Sequence, residues 1–266
     1  KNVFTKGSDE VAIEQALNLE LVYGPLHNRN IYPLTTMMRT PGADVELARG
    51  LLFSLGIINS ASDVVDALMC ERSKFQPDAI EKLTIALSPY VTFSPMNFME
   101  NLPRQTSCGA CSSVYLPKIM MIPKTIGPQW SWDTLRTLPK KMSLRQEIFN
   151  KTGGVHAAAL FMTNGDMVSI FEDIGRHNAL DKLIGHLLVD PQIFSGCALL
   201  LSSRASFEMV QKAARANIPV LAVMGAVSSM AVKWAKESGL TLIGFLKEDR
   251  CNVYTHKHRI EEYDVI

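Results

Sequence analysis

The second half of the chain has the more regular pattern of apolar and polar positions. Two apolar runs, 159–162 and 167–171, flank Thr163-Asn164-Gly165-Asp166, and an Asn-Gly pair in this setting predicts a β-hairpin. Downstream, apolar runs and amphipathic stretches predict a helix over 178–188, a strand over 198–201, a helix over 207–216, a strand over 220–224, a helix over 229–238 and a strand over 240–245. Alternating strands and helices with short connections indicate a layered α/β sheet with right-handed crossovers.

The first half is less regular. Strands are predicted over 19–23, 31–38 and 83–87, with one helix over 45–53. Prolines then predict an irregular, exposed loop over 88–107, and a second Pro-rich stretch, 117–139, precedes a helix that we expect to begin with a cap at Ser143. We therefore expect a smaller α+β domain over 1–139, carrying the loop, and an α/β domain over 140–266.

Composition narrows the classes of function. The 266 residues carry 27 basic and 26 acidic side chains, a formal net charge of +1, and 47% of them are hydrophobic. That excludes a disordered chain, and without a basic excess we expect no nucleic-acid partner. No apolar run approaches the ~20 residues of a membrane helix, so no membrane association is expected. Five cysteines are too few, and odd in number, for a secreted disulfide framework, which favours a cytoplasmic location.

Two cysteines, Cys108 and Cys111, form a Cys-x-x-Cys pair at the end of the Pro-rich loop. A thiol reacts as its thiolate, so this pair is a candidate for covalent sulfur chemistry, with half a zinc site or a structural pair as the alternatives. A structural zinc site needs four ligands, and the chain offers only isolated cysteines and His256-Lys257-His258 besides. No catalytic zinc is expected. A thioredoxin-like role is also disfavoured, because a loop rather than a strand precedes the motif.

Polar groups collect where predicted strands end. His156 follows Gly153-Gly154, a dense polar run spans 172–178, and Ser202-Ser203-Arg204-Ala205-Ser206 lies between a strand and a helix. Hydroxyl groups, an arginine and a helix N-terminus together suit an anion. The alternatives are a packing histidine, a helix-capping loop with solvated charges, and serines that only cap a helix.

Six segments, in order along the chain, resemble the FdhD family, the formate dehydrogenase accessory sulfurtransferases. They are Ser107–Cys111, Gly153–Ala158, Glu172–Lys182, Ser202–Lys212, Leu240–Phe245 and Tyr254–His256. The resemblance runs from about Leu19 to His256. It implies a protein that takes sulfane sulfur from a cysteine desulfurase and delivers it to the bis-molybdopterin guanine dinucleotide cofactor of formate dehydrogenase. It also implies a homodimer with a three-layer, cytidine-deaminase-like C-terminal domain.

The resemblance assigns roles to residues of this chain. Cys108 corresponds to the cysteine that carries the persulfide, and Cys111 matches the second cysteine. The segment that helps bind the guanine dinucleotide corresponds to Phe245, Leu246, Lys247, Glu248, Asp249 and Arg250. With the polar groups above, the candidate cofactor-binding residues are therefore Phe245 to Arg250, Arg204, Ser203, His156, Arg176 and His177.

The chain departs from the family pattern in two places. Ser112 stands where the family often has Gly, and Lys247-Glu248-Asp249-Arg250 replaces a Lys-Pro-Gly-Arg form. The second departure adds two acids among the phosphate contacts. A resolving or relaying role for Cys111 is a hypothesis, since two thiols at this spacing are within disulfide reach.

Two alternatives remain. A zinc-dependent deaminase needs His-x-Glu followed later by Pro-Cys-x-x-Cys, whereas His156 is followed by Ala157-Ala158 and the Cys-x-x-Cys comes first. The other alternative is a chaperone that binds the molybdenum cofactor and transfers no sulfur.

Overall fold

The computed structural model describes residues 7–70, 80–96, 98 and 127–261. Cys108 and Cys111 lie outside the described residues. Residues 88–96 belong to the predicted irregular, exposed loop, but this part is not simply exposed. The ring of Phe93 packs edge-on against Tyr23 and Tyr32, with ring centroids 5.1 and 5.4 Å apart.

The first half folds around a four-stranded sheet of order β2-β1-β4-β3. Its strands are β1 (Gln15–Tyr23), β2 (Asn30–Arg39), β3 (Val64–Cys70) and β4 (Glu81–Leu87), and helix α1 spans Asp44–Ser54. β1 is antiparallel to β2 and parallel to β4, and β3 is antiparallel to β4. Every second residue of β1 and β4 is buried, so one face of the sheet contributes to the core. The predicted strands and helix are confirmed, and β3 is an addition to them.

Among residues 127–155, which the structure describes, three short helices precede the second sheet: α2 (Trp132–Leu135), α3 (Leu138–Ser143) and α4 (Glu147–Thr152). The prediction that a helix begins at Ser143 is wrong, because Ser143 ends α3. Helix α4 begins four residues later, where the carboxylate of Glu172 accepts hydrogen bonds from the backbone N–H groups of Ile148 and Phe149 at 2.8 and 2.9 Å. A distant carboxylate, rather than a local serine, satisfies the start of this helix.

The second half contains a six-stranded sheet of order β10-β9-β8-β7-β5-β6. Its strands are β5 (His156–Met162), β6 (Met167–Asp173), β7 (Cys197–Leu201), β8 (Val220–Val223), β9 (Thr241–Gly244) and β10 (Asn252–Val253). Its helices are α5 (Arg176–Leu187), α6 (Phe207–Arg215) and α7 (Ser229–Glu237). Short 3-10 helices span Ala61–Asp63, Pro191–Gly196 and Lys257–Arg259.

Strand directions follow the sequence pattern. β7, β8 and β9 are parallel, while β5 is antiparallel to both β6 and β7. The hairpin, the three helices and the three parallel strands are confirmed, with ends within three residues of the predicted ones.

Both faces of the six-stranded sheet are covered. Leu160, Leu199 and Leu221 face the side of α5, α6 and α7, in a core that continues to the four-stranded sheet. The neighbouring residues Phe161 and Leu200 face the other side, where Trp130, Leu135, Leu138 and Met142 pack. The strands therefore read as continuous apolar runs, as strands buried on both faces do.

Helices α1 and α5 join the two halves of the molecule. A Cβ atom at Gly50 would lie 1.9 Å from the backbone oxygen of Asp181, and one at Gly185 would lie 1.9 Å from that of Glu46. Only glycine allows the two backbones to approach this closely. The predicted domain boundary at 139/140 stays a prediction. In the parts of the chain that the structure describes, no helix has the length and apolar character needed to cross a membrane.

Candidate functional site

The loops that follow β7, β8 and β9 are hydrogen-bonded to one another at one edge of the sheet. The N–H of Gly225 donates to the oxygen of Ser203 at 3.1 Å, and the N–H of Phe245 donates to the oxygen of Gly225 at 2.9 Å. A Cβ atom at position 225 would lie 3.0 Å from Arg204 Cγ, so glycine permits this close approach. The candidate segments that include Ser203, Arg204 and Phe245 are therefore neighbours.

Strand β5 brings His156 to the same edge. His156 is the first residue of β5, and because β5 is antiparallel to β7, its beginning lies beside the end of β7. It also pairs across the hairpin with Asp173, the last residue of β6, three residues before the start of α5 at Arg176. His156, Arg176, His177 and Arg204 form one group, here called the basic edge cluster.

The electrostatics of His156 reflect this group. Burial lowers the pKa of the half-buried imidazole, and the charges of Arg176, Arg204 and His177 lower it further. The surroundings of the ring therefore disfavour its charged form. The cluster combines two permanent positive charges with a ring that can accept a proton when a negative charge arrives.

Glu208, in the first turn of α6, contacts this cluster. Its Oε2 atom lies 2.6 Å from Nε2 of His177. The contact with His177 lowers the pKa of Glu208 and outweighs the opposing effect of burial, and the charges of Lys212 and Arg176 act in the same direction as His177. Sequence reasoning did not select Glu208, because an acid in the first turn of a helix is ordinary.

The acids of the polar run 172–178 have structural partners. Glu172 holds the start of α4, as described above. Asp173 is fully buried, pairs with Lys182 at 2.7 Å and accepts hydrogen bonds from the N–H groups of Thr40 and Gly175. The helix-capping alternative therefore describes the two acids, whereas Arg176 and His177 belong to the basic edge cluster.

A second ion pair links α5 and α6, one helical turn further along both helices than His177–Glu208. Asp181 pairs with Lys212, and its other carboxylate oxygen accepts a hydrogen bond from Ser54 Oγ at 2.9 Å. Asp181 follows His177 by four residues on α5, and Lys212 follows Glu208 by four residues on α6. The two ion pairs therefore lie one turn apart between the same two helices, and we call them the two rungs of a ladder. Two of the segments that carry the family resemblance are thereby joined to each other.

The three serines of 202–206 differ in their contacts. Ser202 Oγ accepts a hydrogen bond from the N–H of Ala157 at 2.9 Å, and Ser203 Oγ donates to the oxygen of Arg204 at 3.3 Å. Ser206 precedes the first residue of α6; its Oγ is shielded from solvent and has no hydrogen-bond partner within the described ranges. The serine whose hydroxyl is left for another group is thus Ser206 rather than Ser203.

The segment 245–250 forms a turn between β9 and β10. Phe245 has a φ of 53°, a left-handed conformation that is uncommon outside glycine, and its side chain is 39% exposed. Leu246 is buried in the core, and the N–H of Lys247 donates to the oxygen of Arg250 at 2.9 Å. Residues 247 to 250 are exposed. Two bases and two acids give this part of the turn no formal net charge.

Three cysteines lie within the described residues. Burial raises the pKa of Cys197 to about 11 and also raises the pKa of Cys251. Neither thiol is suited to react as a thiolate. Cys70, at the end of β3, is exposed. The predicted sulfur-carrying residues Cys108 and Cys111 lie outside the described ranges, and their roles stay predictions.

A cavity of about 300 Å³ lies between β6, α4 and the connection from β2 to α1. Its charged lining includes Glu172 and Lys182, which already have partners in the protein. Arg145 and Glu147 also line it.

Comparison with known proteins agrees with the segments that carry the resemblance. A family model described as the FdhD/NarQ family matches residues 27–261. The chain belongs to the FdhD/NarQ family. Curated relatives named "Sulfur carrier protein FdhD" include those of Corynebacterium efficiens, 38% identical over 92% of this chain and 89% of the relative, and Mycobacterium tuberculosis, 38% identical over 95% and 92%. The relative from Saccharolobus solfataricus is 35% identical over 96% of this chain and 92% of its own length.

The fold of this FdhD/NarQ family member also resembles a solved structure. A crystal structure described as a formate dehydrogenase accessory protein from Desulfotalea psychrophila superposes with a TM-score of 0.69, at 23% sequence identity. The match covers 95% of this chain and 91% of that chain. At this identity the likeness shows a common fold of mixed α/β type.

Proposed function

We propose that this chain is a sulfur carrier for formate dehydrogenase. It accepts sulfane sulfur from a cysteine desulfurase as a persulfide on Cys108 and delivers it to the bis-molybdopterin guanine dinucleotide cofactor. The observation that carries the proposal is the similarity, over nearly the whole chain, to relatives named sulfur carrier protein FdhD. The basic edge cluster adds a place where a polyanionic cofactor fits.

The loading step is an exchange between sulfur atoms. The Cys108 thiolate attacks the terminal sulfur of the persulfide on the desulfurase, a new S–S bond forms on Cys108, and the S–S bond on the desulfurase breaks to leave its thiolate. No external oxidant or reductant is needed, because the sulfane sulfur keeps its oxidation state.

Cys111 provides a route for release. Its thiolate attacks Sγ of Cys108, forming a Cys108–Cys111 disulfide and expelling the terminal sulfur as hydrosulfide, which is the form that a molybdenum centre takes as a ligand. The two electrons that reduce the sulfane sulfur come from the two thiols. A later reduction of the disulfide by a cellular dithiol returns the carrier to its starting state.

The residues at the carboxyl edge fit a guanine dinucleotide. Arginine guanidinium groups bind phosphate oxygens in pairs, and Arg176 and Arg204 supply two of them within the basic edge cluster. The partly exposed ring of Phe245 can stack on a base. Lys247, Glu248, Asp249 and Arg250 are exposed beside it and complete the proposed binding segment.

Transfer of sulfur label tests the proposal. The protein is incubated with a cysteine desulfurase and sulfur-radiolabelled cysteine, and the label that is removable by dithiothreitol is counted. Wild type should carry label, and Cys108→Ala should carry almost none. Cys70→Ala is the matched control, because Cys70 is the exposed thiol among the described cysteines and should keep full labelling. Label retained on Cys108→Ala would overturn the assignment of the persulfide.

The same measurement distinguishes the alternative. A chaperone that only binds the cofactor would bind a guanine nucleotide normally and acquire no label from the desulfurase. Cys111→Ala should load with sulfur but fail to release it as hydrosulfide. Release at the wild-type rate would remove Cys111 from the mechanism.

We also propose the finer features that the family resemblance implies. The six-stranded sheet with helices on both faces corresponds to a three-layer, cytidine-deaminase-like domain, and the protein acts as a homodimer in the cytoplasm. Light scattering after gel filtration tests the dimer; a monomer mass at micromolar concentration would contradict it.

A further inference from the structure

The cavity of about 300 Å³ is a groove along the outer edge of the six-stranded sheet. β6 is the last strand in the sheet order, and its residues Ile170, Phe171 and Glu172 line the groove. Ile170 packs against the core on one face of the sheet and Phe171 against the core on the other, so a cavity that touches both lies at the strand edge. Residues 41–43 form one wall, and residues 145–148, at the beginning of α4, form the other.

The backbone groups of this edge have no strand beside them. The N–H of Ser202 donates to the oxygen of Ala157 at 3.0 Å, so Ala157 directs its backbone toward β7. Its partner across the hairpin, Glu172, therefore directs its N–H and C=O groups away from β5, and so does Ile170, two residues earlier. Lys182 Nζ donates to the Glu172 oxygen at 3.5 Å, whereas the outward groups of Ile170 have no hydrogen-bond partner in the described part of the chain. Free groups of this kind bind an added strand.

The residues before β1 are a second element without a partner, here called the β1 arm (residues 7–14). The arm belongs to no helix or strand, and Val11 and Ile13 are 79% and 64% exposed. Within the described ranges its backbone makes no hydrogen bond to other backbone groups; the N–H of Glu10 donates to the side chain of Asp9. Val11 and Ile13 alternate with acidic or small residues, which is the pattern of a strand with one buried face. The arm is therefore suited to strand addition.

In its own copy the β1 arm does not occupy the groove. A Cβ atom at Gly154, two residues after α4, would lie 3.1 Å from Cβ of Ala12. The groove contacts residues 145–148 instead, and the six residues of α4 separate the two places by about 9 Å. Arm and groove thus both remain open within one copy.

The base of the arm nevertheless lies close to the groove. Gln15, the first residue of β1, pairs with Arg39 of β2, and Pro41 of the groove wall follows two residues later. A two-fold axis beside this point brings each arm next to the groove of the other copy, so two identical contacts close a dimer. β6 is seven residues long, and an arm over 7–14 matches that length. The walls on both sides of β6 admit a single chain segment and not the walled edge of a second sheet.

The charged residues of the groove leave apolar contacts and hydrogen bonds to hold the arm. The carboxylate of Glu172 is bound to the start of α4, and Lys182 is paired with Asp173. Arg145 and Glu147 are exposed, and their formal charges cancel. The apolar lining includes Ile148, Ile170 and Phe171.

We propose that the groove at the edge of β6 binds the β1 arm of a second copy of this chain, which adds one strand to the six-stranded sheet. Val11 and Ile13 pack on the apolar lining, and the outward N–H and C=O groups of Ile170 pair with the backbone of the arm. The inference rests on the proposed homodimer, for which it supplies the interface, and it is independent of sulfur transfer.

Light scattering after gel filtration, at micromolar concentration, measures the contribution of the arm. Wild type should have the mass of a dimer, and the double variant Val11→Lys with Ile13→Lys that of a monomer, because two ammonium groups cannot enter the apolar lining. The matched control is Leu26→Lys with Ile31→Lys, which changes two residues that are 78% and 66% exposed elsewhere on the surface. The control should remain a dimer.

Photo-cross-linking locates the binding site of the arm. Ile13 is replaced by p-benzoylphenylalanine in a mixture of copies labelled with ¹⁴N and ¹⁵N, and the cross-linked peptides are identified by mass spectrometry. The inference predicts links that join position 13 of one isotope to residues 145–148 or 168–172 of the other. Absence of mixed-isotope links to these residues, including the case of links within one copy, would overturn it.

The outcomes separate this inference from the proposed function. A dimer that persists in Val11→Lys with Ile13→Lys would overturn the exchange of arms and leave the homodimer and the sulfur carrier standing. A monomer mass for wild type would contradict both the inference and the homodimer. Loss of sulfur label on Cys108, with the arm variant still monomeric, would contradict the carrier function and leave the inference standing.

Discussion

Helices α5 and α6 carry two ion pairs that differ in their surroundings. In the pair Asp181–Lys212 the side chains are 3% and 14% exposed, and Asp181 has a further partner in Ser54. In the pair His177–Glu208, one turn closer to the sheet edge, they are 29% and 40% exposed. The buried pair connects α5, α6 and α1, whereas the exposed pair lies near Arg176 and Arg204, which form no ion pair with an acid among the described residues. Charges with partners inside the protein stabilise the fold, and charges left over mark the site.

The largest effect is expected where a buried acid loses its partner. Lys182→Met leaves Asp173, which is fully buried, without its counter-charge. The free energy of unfolding should fall by about 3–5 kcal/mol, as measured by urea unfolding. The double variant Lys182→Met with Asp173→Asn should recover part of the loss. A decrease below about 1 kcal/mol in the single variant would show that this pair does not fasten β6 to α5.

The two rungs of the ladder should then differ from each other. Lys212→Met should lower the free energy of unfolding by about 2–3 kcal/mol, because Asp181 stays buried. Glu208→Gln should change it by less than about 1 kcal/mol, because the rung is partly exposed, and should strengthen polyanion binding about 2- to 5-fold by removing a nearby negative charge. Equal losses of stability in both variants would contradict the distinction between the rungs.

A smaller effect is expected in the pH dependence of stability. The pKa of His156 is lowered in the folded protein, so below about pH 6.5 the unfolded chain binds a proton that the folded protein does not. Stability should therefore fall as the pH decreases from 7 toward the folded pKa, and it should fall less in His156→Gln. The measurement is urea unfolding of both proteins in this range, without ligand. Identical pH profiles would show that the surroundings of His156 do not disfavour its charge.

The sequence predicted those features that depend on local pattern. The Asn164-Gly165 pair and the apolar runs beside it were sufficient for the β5–β6 hairpin, and the alternation of apolar runs with amphipathic stretches was sufficient for β7 to α7. It did not predict β3, because polar and apolar residues do not alternate along this edge strand and only Val64 in it is buried. The incorrect helix start at Ser143 has a similar origin, since the groups that fix α4 belong to Glu172, 24 residues away.

The candidate site shows the same difference between features that depend on local sequence and features that depend on tertiary contacts. The strand ends 203–204 and 245–250 and the residues His156, Arg176 and His177 were selected from sequence, and the structure brings His156, Arg176, His177 and Arg204 together. Glu208 was missed, and Ser206 was named only as part of the run 202–206, because their importance depends on how α6 lies beside α5 and not on neighbouring residues in the chain. The ion pairs of Asp173 with Lys182 and of Asp181 with Lys212 could not be predicted from the sequence either, because they depend on the tertiary fold.

The most direct test of the distinction between structural and ligand-binding charges is to measure stability and binding on one variant, Arg176→Gln. Arg176 contributes a charge to the basic edge cluster, where it disfavours protonation of His156. The free energy of unfolding should stay unchanged or rise slightly, while the affinity for diguanosine pyrophosphate falls roughly 10- to 100-fold. A loss of stability of more than about 1 kcal/mol with unchanged affinity would contradict the account, since Arg176 would then be a structural charge like Lys182.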